Sequence, residues 1–132
     1  MTASRTGGCL CGAVRFTAAG APYRVGTCHC LDCRKHHGAV FFAAAMFPRD
    51  AVTVTGATRA YEGRHFCPEC GSSVFGLYDD SEIEINLGAF DEPSQFAPTY
   101  ESWTVRREDW LPAFDGTTRF DGNRSGTGHW QD

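Results

Sequence analysis

Seven cysteines stand in three tight groups: Cys9-Leu10-Cys11, Cys28-His29-Cys30-Leu31-Asp32-Cys33 and Cys67-Pro68-Glu69-Cys70. Gaps of one or two residues between thiols are metal-ligand spacings. An odd count argues against a disulfide framework, and so do Cys-x-Cys pairs too short to bridge internally. Single buried cysteines acting as small hydrophobes are common, but they do not gather in three clusters. The chain is therefore expected to fold around metal. A pair joined to a pair closes a four-thiolate shell, and the triplet then forms a three-thiolate site with one position open. Joining the first group to the third uses every cysteine. The alternatives, first with second or second with third, leave a lone pair and strand one thiol of the triplet.

The 132 residues suffice for one domain with one core, and 42% apolar composition marks a globular chain. We expect a single zinc-binding domain over 5–120 and a loosely ordered, Gly- and polar-rich tail over 121–132. Twelve basic and sixteen acidic residues leave a formal charge of −4, which gives no general attraction for nucleic acid or an anionic membrane. Neither is expected as a partner. Lysine-dependent chemistry has only Lys35 to use. The start, Met1-Thr2-Ala3-Ser4-Arg5, is polar with no apolar stretch behind it, so no secretory signal is expected. The longest apolar run, Ala39 to Phe47, is too short to span a bilayer. The expected location is the cytoplasm, where thiols stay reduced.

Alternation of apolar and polar residues points to strands at 13–17, 23–27, 73–78 and 82–87. The run 39–47 reads as a strand buried on both faces. Segments 52–55 and 58–61 flank Gly56 as a hairpin would. Helix signals are weak: a short helix or turn over 29–37 and a single turn over 91–96. Fifteen glycines and six prolines between short apolar runs suit an all-β fold. Phe41, Phe42, Trp103 and Trp110 are expected in the core.

Zinc holds four sulfurs at about 2.3 Å, so neighbouring sulfurs sit about 3.8 Å apart. Cys9 and Cys11 can grip one ion from a strand edge or a tight turn. Cys67-Pro68-Glu69-Cys70-Gly71 reads as a zinc knuckle, with Pro68 fixing the turn and Gly71 free to take a conformation closed to other residues. Such an ion would join the beginning of the sheet to its middle and add directly to folding free energy. At the triplet, His29 is expected to point away from the metal of Cys28 and Cys30. His36 and His37 read as polar residues after a turn rather than ligands. Three thiolates on a divalent ion carry net −1, which Arg34 and Lys35 can offset. An electron-rich zinc of this kind suits a fourth, exogenous thiolate, hence a thiol substrate held beside an electrophile.

Gly8-Cys9-Leu10-Cys11-Gly12, Cys28-His29-Cys30-Leu31-Asp32-Cys33-Arg34 and Phe66-Cys67-Pro68-Glu69-Cys70-Gly71 resemble, in order and spacing, the glutathione-dependent formaldehyde-activating enzyme family, which includes centromere protein V. The likeness runs from about Gly7 to Trp110, with Trp103, Arg106 and Trp110 resembling the family's C-terminal strand region. It implies an all-β, tent-like zinc fold of short antiparallel sheets with at most short helical turns. It implies two zinc ions: a structural one on Cys9, Cys11, Cys67 and Cys70, and a catalytic one on Cys28, Cys30 and Cys33. The implied reaction joins formaldehyde and glutathione into S-hydroxymethylglutathione, a carbon–sulfur lyase run in reverse. Arg34, or a histidine of the His36-His37 pair, is the candidate to orient the adduct oxygen or shuttle its proton. Arg34, Arg64, Arg106 and Arg107 are the arginines available for glutathione carboxylates. A non-enzymatic zinc scaffold is the alternative, and it requires His36 or His37 to complete the second site. A homodimer through an edge strand is a candidate assembly.

Overall fold

The computed structural model describes residues 3–124. In chain order the strands are β1 (Ser4–Gly8), β2 (Arg15–Ala19), β3 (Arg24–Cys28), β4 (Phe42–Pro48), β5 (Val52–Thr55), β6 (Arg59–Tyr61), β7 (Arg64–Phe66), β8 (Ser73–Gly76), β9 (Glu82–Asn86), β10 (Tyr100–Ser102) and β11 (Thr118–Arg119). One α-helix, α1 (Leu31–His37), follows β3. The fold is mostly β-sheet, as expected. The described residues form two compact units, one from residues 3–24 and 44–96, the other from 25–43 and 97–124.

In the first unit β1, β2 and β5 form an antiparallel sheet, with Thr6 opposite Thr17 and Phe16 opposite Val54. Next to it in sequence, β4, β9, β8, β7 and β6 pair antiparallel in that spatial order, with Phe47 opposite Ile83 and Phe75 opposite Ile85. Ala44, Ala45, Met46 and Phe47 are all buried, so the apolar run does form a strand covered on both faces. Its first three residues, 39–41, lie in the turn before β4. The core of this unit is Val14, Phe16, Phe47, Val74, Ile83 and Ile85. Phe16 meets Phe90 edge-on at 5.2 Å, and Phe90 meets Phe96 at 5.4 Å.

Strand β1 was not foreseen, because Ser-Arg-Thr-Gly-Gly carries no apolar alternation. The reason lies across the sheet. A Cβ on Gly7 would sit 2.2 Å from the carbonyl oxygen of Ala89 and 2.4 Å from the ring of Phe16. Glycine lets this backbone come close enough to bridge to Phe90. The expected hairpin about Gly56 is overturned. Both strands form, but β5 pairs with β2 and β6 with β7. Every residue of β6 is exposed, so β6 has no apolar face to share with the half-buried β5.

In the second unit β10 lies between β3 and β11 and is parallel to both, with Gly26 opposite Tyr100 and Cys28 opposite Ser102. Parallel pairs add to the expected antiparallel sheets; they arise because a long connection separates β3 from β10. The expected strand character after Ser102 does not appear. Trp103 takes a left-handed conformation, Thr104–Arg106 is a 3-10 turn, and Trp110 is 68% exposed rather than in the core. Trp103 is tied down by its backbone N–H to Gly122 (2.8 Å) and its indole N–H to Asn123 Oδ1 (2.6 Å). Of the expected tail over 121–132, residues 125–132 lie outside the described residues. Among the described residues no helix is long and apolar enough to cross a membrane.

Candidate metal centres

The tight turn between β1 and β2 carries Cys9 and Cys11. Cys9 N–H donates to the Val14 carbonyl (3.0 Å), and Val14 N–H donates back to Cys9 Sγ (3.2 Å). The turn between β7 and β8 carries Cys67 and Cys70. Gly71 N–H closes it onto the Cys67 carbonyl at 2.8 Å, with Gly71 at φ +78° in the left-handed region. Glu69 N–H points at Cys67 Sγ (3.4 Å), and Ser72 Oγ lies 3.2 Å from Cys70 Sγ. Ser72 Oγ also accepts from Leu10 N–H (3.0 Å), which ties the two turns together. All four sulfurs lie within 4.8 Å of one another. The Cys9–Cys11 separation is 3.7 Å and the Cys11–Cys67 separation 3.8 Å, close to the edge of a zinc–thiolate tetrahedron and far from a disulfide bond length. This quartet can hold one metal ion.

The second group belongs to the β3–α1 corner. Cys28 ends β3, Cys30 N-caps α1 and Cys33 lies in its first turn. Cys30 Sγ accepts from Cys33 N–H at 3.3 Å, so the cap of the helix is itself a sulfur of the group. The helix stops at Gly38, whose N–H bonds to the Arg34 carbonyl. The three sulfurs lie within 4.8 Å of one another, with Cys30 and Cys33 buried. Among the described residues no histidine or carboxylate joins them. Of the three ways to divide seven thiols left open by spacing, the fold adopts first with third.

The three thiols perturb one another's acidity. Hydrogen bonds from Cys30 and then Cys33 pull the Cys28 thiol down to about 3, with Ser102 helping. Cys30, facing Cys28, is pushed up to about 12, and Cys33 is pushed upward by both. Ligating a cation requires all three as thiolates, the cation taking the place of their protons. The quartet behaves alike: Cys70 is drawn down to about 5, first by Ser72, while at Cys11 the Ala13 backbone is the largest influence and lowers, but Cys9, burial, Cys70 and Cys67 together push it up to about 12.

His29, between Cys28 and Cys30 in sequence, is fully buried, and its Nε2 lies 3.0 Å from Glu101 Oε1. Glu101 is equally buried and also accepts from Arg107 Nη2 (3.0 Å), Phe114 N–H (3.0 Å), Thr117 Oγ1 (2.8 Å) and Arg119 Nε (3.3 Å). Burial opposes its ionisation, yet Thr117, His29, Arg107 and the Phe114 amide together hold its carboxyl down at about 2. Sequence reading missed Glu101. It sits in the three-residue strand Tyr-Glu-Ser, and nothing local distinguishes it from a surface acid.

Arg34 projects from α1 to an ion pair with Glu108, and its Nη1 reaches the Arg106 carbonyl at 3.3 Å. His37 stacks on Phe42 at 4.4 Å with its ring nearly parallel, and His36 meets His37 edge-on. Arg107 serves Glu101, and Arg64 is buried in β7 of the first unit. Phe41, expected in the core, instead lines a cavity of the second unit.

The family model for the glutathione-dependent formaldehyde-activating enzyme matches residues 4–106. A crystal structure of a Rhodobacter sphaeroides protein, a structural genomics target, is similar in fold. Its TM-score is 0.55 at 22% identity, over 68% of this chain and 91% of that one. No curated protein is significantly similar to the chain. The family match spans both cysteine groups and the elements that carry them, so the chain belongs to the glutathione-dependent formaldehyde-activating enzyme family.

Proposed function

We propose that the chain is a zinc-dependent carbon–sulfur lyase-type enzyme that makes and breaks the adduct of a small aldehyde with a thiol of the glutathione kind. The observation that carries this reading is the three-sulfur group with no fourth side-chain ligand among the described residues. In this reading Cys9, Cys11, Cys67 and Cys70 hold a structural zinc, and Cys28, Cys30 and Cys33 hold the catalytic one. Bound to the trio, zinc supplies an open coordination position and a positive charge that lowers the pKa of an incoming thiol.

The protein's own residues set up the rest. The Cys33 amide donates to Cys30 Sγ, and Ser102 faces Cys28, so the trio is held in register by α1 and β10. Glu101 fixes the ring of His29 and with it the backbone between Cys28 and Cys30. Arg34, which directly follows Cys33, is held by its ion pair with Glu108. In the forward direction the thiol sulfur adds to the aldehyde carbon. The carbonyl π pair moves to oxygen, and that oxygen gains the proton the thiol gives up. The reverse splits the carbon–sulfur bond, and neither direction consumes an oxidant or reductant.

The scaffold alternative needs a histidine in the trio's fourth position. His37 is instead stacked on Phe42, and no imidazole joins the sulfurs among the described residues. Titrating glutathione into the cobalt-substituted protein tests the reading. New sulfur-to-cobalt charge-transfer intensity is expected at one of two sites, and an unchanged spectrum would refute it.

A further inference from the structure

Making the adduct drives a π pair onto the aldehyde oxygen, and three metal-bound thiolates offer that oxygen no hydrogen-bond donor. Arg34, Lys35, His36 and His37 follow Cys33 directly in α1, and all carry donors. The helix sorts them. Successive residues turn by about 100°, so His37, four residues on, comes back to within ~40° of Cys33, with the two Cβ atoms about 5–6 Å apart. Helical side chains lean toward the N-terminus, and that end of α1 carries Cys30 and Cys33. Arg34 and Lys35 turn away from Cys33 by about 100° and 200°. They line a groove with Leu31 and Gly38, and Arg34 is held by Glu108. His36 falls about 60° to the other side of Cys33. It meets the His37 ring edge-on at 4.9 Å.

The neighbouring segments of the same unit agree. Thr27, Phe41 and Ala43 line one cavity, and the rings of Phe41 and His29 lie 5.8 Å apart. Side chains alternate along an extended chain. Cys28, between Thr27 and His29, and Phe42, between Phe41 and Ala43, therefore turn to the opposite side. His37 stacks on Phe42, with ring centroids 4.4 Å apart and planes 5° from parallel. The half-buried imidazole thus stands on the side to which Cys28 turns, its plane set by Phe42 and its flank by His36. Among the described residues no histidine joins the three sulfurs. A group beside the sulfurs but outside their shell meets the molecule at the open position rather than the metal.

We propose that His37 is a catalytic residue whose imidazole N–H donates a hydrogen bond to the aldehyde oxygen as the thiol sulfur adds to the carbon. The inference rests on the reading of the trio as the thiol–aldehyde site and adds the residue that stabilises charge on the oxygen. As the carbon–sulfur bond forms, the carbonyl π pair moves to oxygen, the proton given up by the thiol ends there, and His37 keeps its own proton count. A preorganised donor of this kind is worth ~10²–10³-fold in rate.

The test compares wild type with His37→Phe, which keeps the stack and removes the N–H, and with His37→Gln, which keeps a donor. In the cobalt-loaded full chain the spectrum without thiol should be the same in all three, because His37 is not a ligand. Affinities of two unreactive probes, 2-mercaptoethanol and ethanethiol, are then read from the charge-transfer bands. The preference for 2-mercaptoethanol should be ~3-fold or more larger in wild type than in His37→Phe, and kept in His37→Gln. In the zinc-loaded chain, kcat for glutathione-dependent turnover of formaldehyde should fall ~10²-fold in His37→Phe and recover ~10-fold in His37→Gln, with KM for glutathione within ~2-fold throughout. His37→Leu supplies the same readouts should the phenylalanine variant not fold. An unchanged probe preference or an unchanged kcat overturns the role of His37 and leaves the reading of the trio intact. A cobalt spectrum already altered before thiol is added makes His37 a ligand and overturns its role and the open position together. Absence of turnover in wild type, or of charge transfer with either probe, overturns the proposed function and the role of His37 with it.

Discussion

Replacing Glu101 by glutamine removes one charge and keeps the shape, and the structure gives two routes to the cost. Two of its five donors, His29 Nε2 and Arg107 Nη2, meet Oε1, and three, the Phe114 amide, Thr117 and Arg119, meet Oε2. Whichever oxygen becomes the amide nitrogen, two or three donors lose their acceptor at a fully buried site. Breaking a buried charged network in this way costs about 3–5 kcal/mol. The second route is linkage. A carboxyl held at about 2 instead of its ordinary 4.5 contributes about 3 kcal/mol to folding at neutral pH. The sign follows from the depressed value. The unfolded chain binds the proton more tightly, so this stability is complete above pH 4.5 and is lost as pH falls toward 2. Urea unfolding at pH 7, followed by far-UV circular dichroism on the zinc-loaded protein, should place Glu101→Gln about 3 kcal/mol below wild type. The deficit should narrow below pH 4.5, and acid release of metal affects both proteins, so their difference isolates Glu101. Thr117→Val, which removes a single donor, should cost only about 1 kcal/mol. A deficit under ~1 kcal/mol for Glu101→Gln at pH 7 would show that the carboxylate is not the hub described.

Metal analysis separates the two cysteine groups. Wild type should carry close to two zinc ions, Cys30→Ala about one with the fold kept, and Cys70→Ala should lose solubility because structural zinc is worth about as much as the whole domain's stability. One zinc in fully loaded wild type would refute the two-centre reading. Gly7→Ala should destabilise by about 2 kcal/mol or more in thermal unfolding, since its Cβ meets backbone and the Phe16 ring. Gly71→Ala, with open space around the new methyl, should cost only the ~1–2 kcal/mol of a left-handed alanine. Asp91 is held at about 2 by Arg15 and Thr6, so it stabilises above its ordinary range and that support fades as pH falls toward 2. Asp91→Asn should flatten the melting temperature against pH between about 4 and 2.

Much of the site was legible because its chemistry is local. Thiols two or three residues apart in a chain are close in any fold, so the trio and both halves of the quartet could be read directly. The strands β4, β5 and β9 were legible for a similar reason, since a continuous apolar run in β4 and period-two alternation in β5 and β9 are written into adjacent residues. β1 and β10 were not, because what stabilises them lies across the sheet: the ring of Phe16 over Gly7, and the pairing of Ser102 with Cys28. The hairpin about Gly56 failed on the same ground, as a turn residue shows that the chain bends but not which strand it meets.

By itself the sequence displayed thiols at metal-ligand spacing, short strands and the family it resembles. Only the tertiary structure decided which pairs of cysteines come together, since that depends on bringing residues 9 and 67 within a sulfur's reach. It alone revealed Glu101 bonded to His29 and the aromatic cavity of Phe41 and Phe114. Metal ligation needs a few donors at short spacing, which a linear chain can display. A buried carboxylate and a cavity are defined by what surrounds them, and their surroundings come from segments seventy residues apart.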